Sequence, residues 1–384
     1  MASRQLLVAA GIAVSARLLT FLAAIWLPIP NERGYLVSPL LPPGYYDYGF
    51  YLHSLARYTV DPAGILRDFV SFYESLTLPV AHIVSGPVFP LLIGVTGYSA
   101  GNYLPLSLIY LGLSAATAIA WLWWLERQGV RRFWLVLFAL LPQPIWFMLV
   151  ISTDFLFAAE FAAFFLAYFA ARPRPWIWVP ALALTVLTRP NSLSVLLFVV
   201  VMELWRAVRL RESNWARLGV TLVVLLGAGL YLYPYFLTEM AKAGTSLEYF
   251  GRTPAAYVSG LFPDLPVLLD KGLSWLALIG AKLLYFVGLR PSYGVTPWPL
   301  VLTRALPGLI LLPGLFLLAI RAPWPQRLLV ALYCLPFLLG PSQDRYYLAI
   351  YPILFLYGTQ AYEAVFAWWS RWAPGARSTR RASP

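Results

Sequence analysis

Hydrophobic positions along this chain come in long unbroken blocks. They fall at about 6–27, 103–125, 133–151, 154–171, 175–188, 192–205, 217–237, 299–320, 327–340 and 346–368. A helix needs roughly 20 apolar residues to cross the hydrocarbon core of a bilayer. Membrane-spanning strands would instead alternate in polarity over about 10 residues, and these blocks do not alternate. The pattern predicts an all-α polytopic membrane protein with about 10 transmembrane helices. Two further apolar stretches, 79–97 and 272–289, would bring the number to 12 if both crossed.

The polar segments between the blocks set the expected orientation. With the N-terminus inside, the segments 126–132, 172–175, 206–217 and 321–327 and the tail from 371 fall in the cytoplasm. Together with Arg4 they hold more than half of the 28 basic residues, as the positive-inside rule requires. A crossing at 79–97 would move 126–132 and 206–217 outside, and one at 272–289 alone would move the basic tail outside. Both stretches are therefore expected to stay on the outer side. Two long outer loops result, about 28–102 and 238–298, and loops of this length usually serve a function. Within the first, 48–58 and 66–76 read as short helices lying on the membrane surface. The first apolar run is followed by Trp26-Leu27-Pro28, which is not a small-residue cleavage site, so it reads as a retained span. Residues 1–373 form one integral membrane domain in this reading, and 374–384 form a disordered basic tail.

Composition supports the same class. The 384 residues are 60% hydrophobic and 11% charged, with mean hydropathy +0.71, whereas soluble domains carry about 25% charged residues. The net charge of +12 is spread over short loops between apolar blocks. It therefore points to membrane lipids as partners and to no nucleic acid. The one cysteine, Cys334, excludes a disulfide within the chain and a cysteine-based metal site. The expected location is a prokaryotic plasma membrane, with the functional side facing out.

Polar groups at or near a bilayer are hypotheses of function by default. Asp47 stands among tyrosines, with Tyr46 and Tyr48 beside it, early in the first outer loop. An aromatic setting would favour a general base, and a helix N-cap for 48–58 is the alternative. His53 and His82, the two histidines, lie in the same loop, and their spacing matches no short metal-ligand motif. Ser152-Thr153-Asp154 suits an N-cap as well as a site at the outer end of span four. Glu160 is expected to pair with Arg17 of span one. Arg189 in Thr188-Arg189-Pro190 and Arg345 in Asp344-Arg345-Tyr346-Tyr347 can each anchor a helix end or grip a phosphate. Lys282 lies in an apolar stretch and requires an anionic partner. Asp47, Asp154, Arg189, Lys282 and Arg345 all fall on the outer side of one topology. Such a group suits an anionic, lipid-anchored substrate.

At these residues the chain resembles the GT-C glycosyltransferase superfamily, which includes protein O-mannosyltransferases and the aminoarabinose transferases of lipid A. Tyr46-Asp47-Tyr48-Gly49-Phe50-Tyr51 resembles the acidic motif of the first outer loop, and Ser85-Gly86-Pro87-Val88-Phe89-Pro90-Leu91-Leu92 resembles its Gly-Pro-x-(Tyr/Phe)-Pro-Leu-Leu segment. Ile151-Ser152-Thr153-Asp154, Leu187-Thr188-Arg189-Pro190 and Asp344-Arg345-Tyr346-Tyr347-Leu348 with Tyr351-Pro352 resemble three further junctions. The likeness covers about 5–236, which would be the catalytic module, with variable C-terminal helices in 237–373. It implies sugar transfer from a polyprenyl-phosphate sugar to an acceptor hydroxyl with inversion at the anomeric carbon. Asp47 would be the catalytic base. Arg189, Arg345 and Lys282 would hold the donor phosphate, and Tyr46, Tyr48, Asp154, Tyr346, His53 and His82 would line the substrate. Tyr45 and Gly49 stand where an Asp-x-Asp pair would place a second carboxylate, so no metal or other cofactor is expected.

Three other classes fit the sequence less well. A secondary transporter of a lipid-linked or small anionic substrate would carry internal repeats and broken helices at mid-bilayer. The chain shows no repeat, and its polar residues gather at one face. A non-enzymatic assembly subunit would leave that polar group without a purpose. A phosphoethanolamine-type transferase lacks its nucleophile and metal ligands here.

Overall fold

The computed structural model of the chain describes residues 3–30, 36–40, 67, 88–89, 92, 96, 103–189, 192–209, 218–219, 221–223, 226–227, 229–230, 267–289, 298–339 and 344–372. Among them the architecture is helical. The helices are α1 (Arg4–Trp26), α2 (Leu104–Arg127), α3 (Arg132–Leu140), α4 (Pro142–Leu149), α5 (Thr153–Tyr168), α6 (Pro175–Thr188), α7 (Leu193–Arg209), α8 (Val267–Phe286), α9 (Trp298–Arg321), α10 (Trp324–Leu339) and α11 (Tyr351–Trp372). A 3-10 turn, Asp344–Ala349, leads into α11. One short antiparallel pairing joins Ile29–Pro30 to Leu36–Val37.

Helix boundaries follow local chemistry. The Ser3 side chain accepts from the Leu6 N–H at 3.2 Å and opens α1. Ser152 does the same for α5, accepting from Phe155 N at 3.3 Å. Gly129 at φ +82° ends the turn after α2, a left-handed position that glycine enters without a Cβ clash. The predicted span 133–151 is two helices. Pro142 has no N–H to continue the ladder and disfavours helical backbone at Leu141, so α3 stops there. Pro142 then restarts the chain at the N-terminus of α4.

Among the described residues, four segments are long and apolar enough to cross a membrane: Arg4–Trp26, Leu104–Arg127, Arg132–Leu149 and Val301–Arg321. Large apolar side chains on their outer surfaces remain exposed, among them Leu19, Leu22, Leu108, Phe316 and Ile320. A water-soluble protein rarely leaves so much continuous apolar surface uncovered. The helices α5, α6, α7 and α10 are shorter, and 272–286 is helical as part of α8. Of the predicted span 217–237, only isolated positions lie among the described residues.

The bundle has two distinct ends. At one, Ser3 hydrogen-bonds Glu126, Trp121 and Trp124 pack on Phe165 of α5, and Arg131 pairs with Glu363 of α11 at 3.2 Å. Tyr168, Glu203 and Arg206 also join there, with Tyr168 Oη donating to Glu203 at 2.9 Å. Arg4, Arg127, Arg131, Arg132, Arg172, Arg174, Arg206, Arg209, Arg321 and Arg327 all belong to this end. At the other, Tyr110 Oη in the first turns of α2 donates to the Ser152 carbonyl at 2.7 Å. The α5 start, the α6 end and the turn before α11 meet around that point.

Close helix contact is built on glycine. A Cβ at Gly314 of α9 would overlap the Leu354 carbonyl of α11, and one at Gly358 of α11 would overlap the Ile310 carbonyl of α9. The two backbones lie against each other through this reciprocal pair, as small residues allow in membrane helices.

Candidate functional site

The end of the bundle away from the arginine belt carries a buried carboxylate, Asp154, and a buried lysine, Lys282. Asp154 lies in the first turn of α5, behind the Ser152 cap, and is 2% exposed. Arg189 caps the C-terminus of α6 in extended backbone. Its guanidinium pairs with Asp154 through one terminal nitrogen. It also lies over the Tyr346 ring, 4.5 Å from guanidinium carbon to ring centroid. Cation–π contact of this kind strengthens away from water.

The backbone of Arg189 is held separately. Its N–H reaches the Thr185 carbonyl at 3.4 Å, and its own carbonyl accepts from Ser192 N at 3.1 Å and from the Ser192 hydroxyl. Tyr346 is fixed from the other side. Its carbonyl accepts from Tyr333 Oη at 2.6 Å, and its ring stacks on Phe337 at 4.7 Å. Tyr333 stacks in turn on Phe157 of α5 at 6.1 Å. The next residue, Tyr347, is fully buried, hydrogen-bonds Gln143 at the start of α4 and packs on Phe286 of α8. The site therefore draws Asp154 and Arg189 from 1–236 and Tyr346 from 237–373.

Lys282 is 1% exposed and donates to the Leu338 carbonyl at 3.0 Å. One contact of Lys282 is thus to the C-terminal end of α10. The last carbonyls of a helix have no partner within it and carry its negative dipole end, so a lysine satisfies both.

Glu160 does not pair with Arg17. Its Oε1 accepts from Thr188 Oγ at 2.8 Å, and its Oε2 is buried without a hydrogen-bond partner. Arg17, 3% exposed, donates to Ser114 Oγ at 2.8 Å and to the Ala13 and Ala139 carbonyls at 3.0 and 3.3 Å. The apolar blocks indicate which helices exist but not their rotation, and here rotation brought hydroxyls to both groups.

Sequence reasoning passed over Tyr333, Gln143 and Arg304. Arg304 is buried at 3% on α9, and its carbonyl backs onto Gly288, where φ is +87° and a Cβ would strike it. A charge inside the apolar run 299–320 was the available signal. Asp47, Tyr46, Tyr48, His53 and His82 lie outside the described residues, as do the predicted surface helices 48–58 and most of 66–76. Arg345 contributes its backbone to the 3-10 turn beside Tyr346, and its side chain lies outside the described residues. Comparison with protein-family models, curated proteins and solved structures finds no match to this chain.

Proposed function

We propose that this chain is an inverting glycosyltransferase of the GT-C kind. In this reading it crosses a prokaryotic plasma membrane about ten times and works at the outer face. The observation that carries the reading is the pair of Arg189 with the buried Asp154, against the Tyr346 ring, at the end of the bundle opposite the arginine belt. The belt suits the cytoplasmic side. A partly exposed cation at the far end, held by a buried carboxylate, suits the phosphate of a lipid-linked donor.

The segment holding Asp47 starts at this same end. Ser107 Oγ near the start of α2 donates to the Pro39 carbonyl at 3.3 Å. Asp47 follows Leu40 by seven residues, a tether of at most about 25 Å.

The chemistry needs one base and one phosphate grip. Asp47 takes the proton from an acceptor hydroxyl, and the oxygen attacks the anomeric carbon on the face opposite the phosphate. The bond from that carbon to the phosphate oxygen breaks, and the polyprenyl phosphate leaves with the electron pair. A single displacement inverts the centre. Arg189, Arg345 and Lys282 stabilise the charge that grows on the leaving phosphate. Tyr46 and Tyr48 offer flat faces to the sugar, and His53 and His82 hydrogen-bond it.

Mass spectrometry of lipids, glycans and proteins from a deletion strain, set against its parent, tests the class of activity. One sugar mass is expected to vanish from an acceptor while its polyprenyl-phosphate donor accumulates. Identical profiles would sink the proposal.

A further inference from the structure

Arg189 and Asp154 form an unequal pair. The Asp154 side chain is 1% exposed and that of Arg189 is 12% exposed. The carboxylate is sealed, and the guanidinium can be reached. A guanidinium offers five donors in a rigid fork, and Arg189 meets Asp154 through one terminal nitrogen. Among the described residues Asp154 is the side-chain acceptor that Arg189 contacts. Because the Arg189 backbone is tied to Thr185 and Ser192, its remaining freedom lies in the side-chain torsions.

We propose that Asp154 is a resident counter-anion that holds Arg189 until a phosphate oxyanion arrives and takes the guanidinium over. The inference rests on the reading of Arg189 as a phosphate-binding group. Its physical basis is exchange. Two anions on one guanidinium repel each other, so the incoming phosphate competes with Asp154. Phosphate presents two or more charged oxygens to the fork and can bind it bidentately, which the present single-nitrogen contact does not. A neutral headgroup has nothing to offer in exchange. Asp154 thus weakens binding of every anion and leaves the site to those that use the whole fork. Tyr346 keeps its place over the guanidinium plane in either state, so the exchange is made at the edge.

The test measures binding of polyprenyl phosphate and, in a second arm, inorganic phosphate to the purified full chain by calorimetry in detergent. Asp154→Asn keeps size and an acceptor oxygen and leaves the Ser152 cap intact. It is expected to bind polyprenyl phosphate roughly tenfold tighter, within the usual range for coupled sites, and Arg189→Gln is expected to abolish binding in either background. A gain in both arms assigns the exchange to the phosphate group itself, and a gain with polyprenyl phosphate alone assigns it to the lipid-linked form. Equal or weaker binding by Asp154→Asn, with Arg189 dependence intact, overturns the proposal and makes Asp154 a positioning residue. Binding that ignores Arg189→Gln removes the underlying reading of Arg189 and the proposal together. If Asp154→Asn aggregates, polyprenyl phosphate present during extraction is expected to restore monodisperse protein. Failure of that rescue, while Asp154→Asn with Arg189→Gln stays monodisperse, also overturns it.

Discussion

Arg17 shows how one buried cation is tolerated without a carboxylate. The α3 ladder stops at Leu140, so its last carbonyls lose their helical partners. Arg17 reaches one of them, on Ala139, and brings positive charge to a helix C-terminus. Ser114 of α2 takes Nε, so a single side chain joins α1, α2 and α3. Arg17→Ala removes these bonds and leaves the Ala139 carbonyl buried and unmet. A loss of about 2–4 kcal/mol is expected, read as a lower thermal midpoint of the purified protein in detergent. An unchanged midpoint would mean that the three contacts add nothing to stability. Much of the residue chemistry was legible beforehand. Ser152-Thr153-Asp154 reads as a cap, and Ser152 is the cap. Asp154 and Arg189 were placed at one face, and they touch. The partners of Arg17 and Glu160 were not legible, because hydroxyls and helix-end carbonyls can answer a buried charge as well as an opposite charge can. Nothing in a linear pattern says which of them faces it.

At the scale of elements, the Ser152 cap marked its boundary, while Pro180, Pro307, Pro313 and Pro336 lie inside helices. Pro142 divides a stretch that hydropathy alone reads as one span, since apolar content does not register a missing N–H. The 3-10 turn before α11 was read as the opening of the last helix. Within it, Tyr346 is held by Tyr333 and Phe337 on α10, contacts from a distance in sequence. Close approach of α9 and α11 was equally hidden, because a glycine in an apolar run looks the same whether it faces lipid or a neighbouring carbonyl. Gly314→Leu puts a side chain where the Leu354 backbone lies. Overpacking of this kind typically costs about 1–3 kcal/mol, and the larger side chain places this site at the upper end or beyond. The same change at Gly112, where a Cβ would meet open space, is expected to leave the melting temperature nearly unaltered. Equal effects at the two positions would show that the α9–α11 contact is not made through Gly314.

At the scale of the whole molecule, charge divides the bundle into two ends. The arginine belt occupies one, with Trp123, Trp176 and Trp324 among its aromatics and Arg127 stacked 3.9 Å from the Trp123 ring centroid. The other end holds Asp154, Arg189, Lys282 and Tyr346 inside the protein. This polarity was legible from the order of loops along the chain, because the positive-inside rule acts on sequence segments and not on contacts. The division into 1–236 and 237–373 was less informative, since Arg189 and Tyr346 meet across it. If the chain transfers a sugar with Asp47 as base, then Asp47→Asn keeps shape and hydrogen bonding but cannot accept a proton. The most direct measurement is the rate at which purified protein releases polyprenyl phosphate from its polyprenyl-phosphate sugar in the presence of acceptor. Asp47→Asn is expected to turn over about 100-fold or more slowly, the usual share of a general base, with donor binding retained. Near-parental turnover in Asp47→Asn would contradict the account.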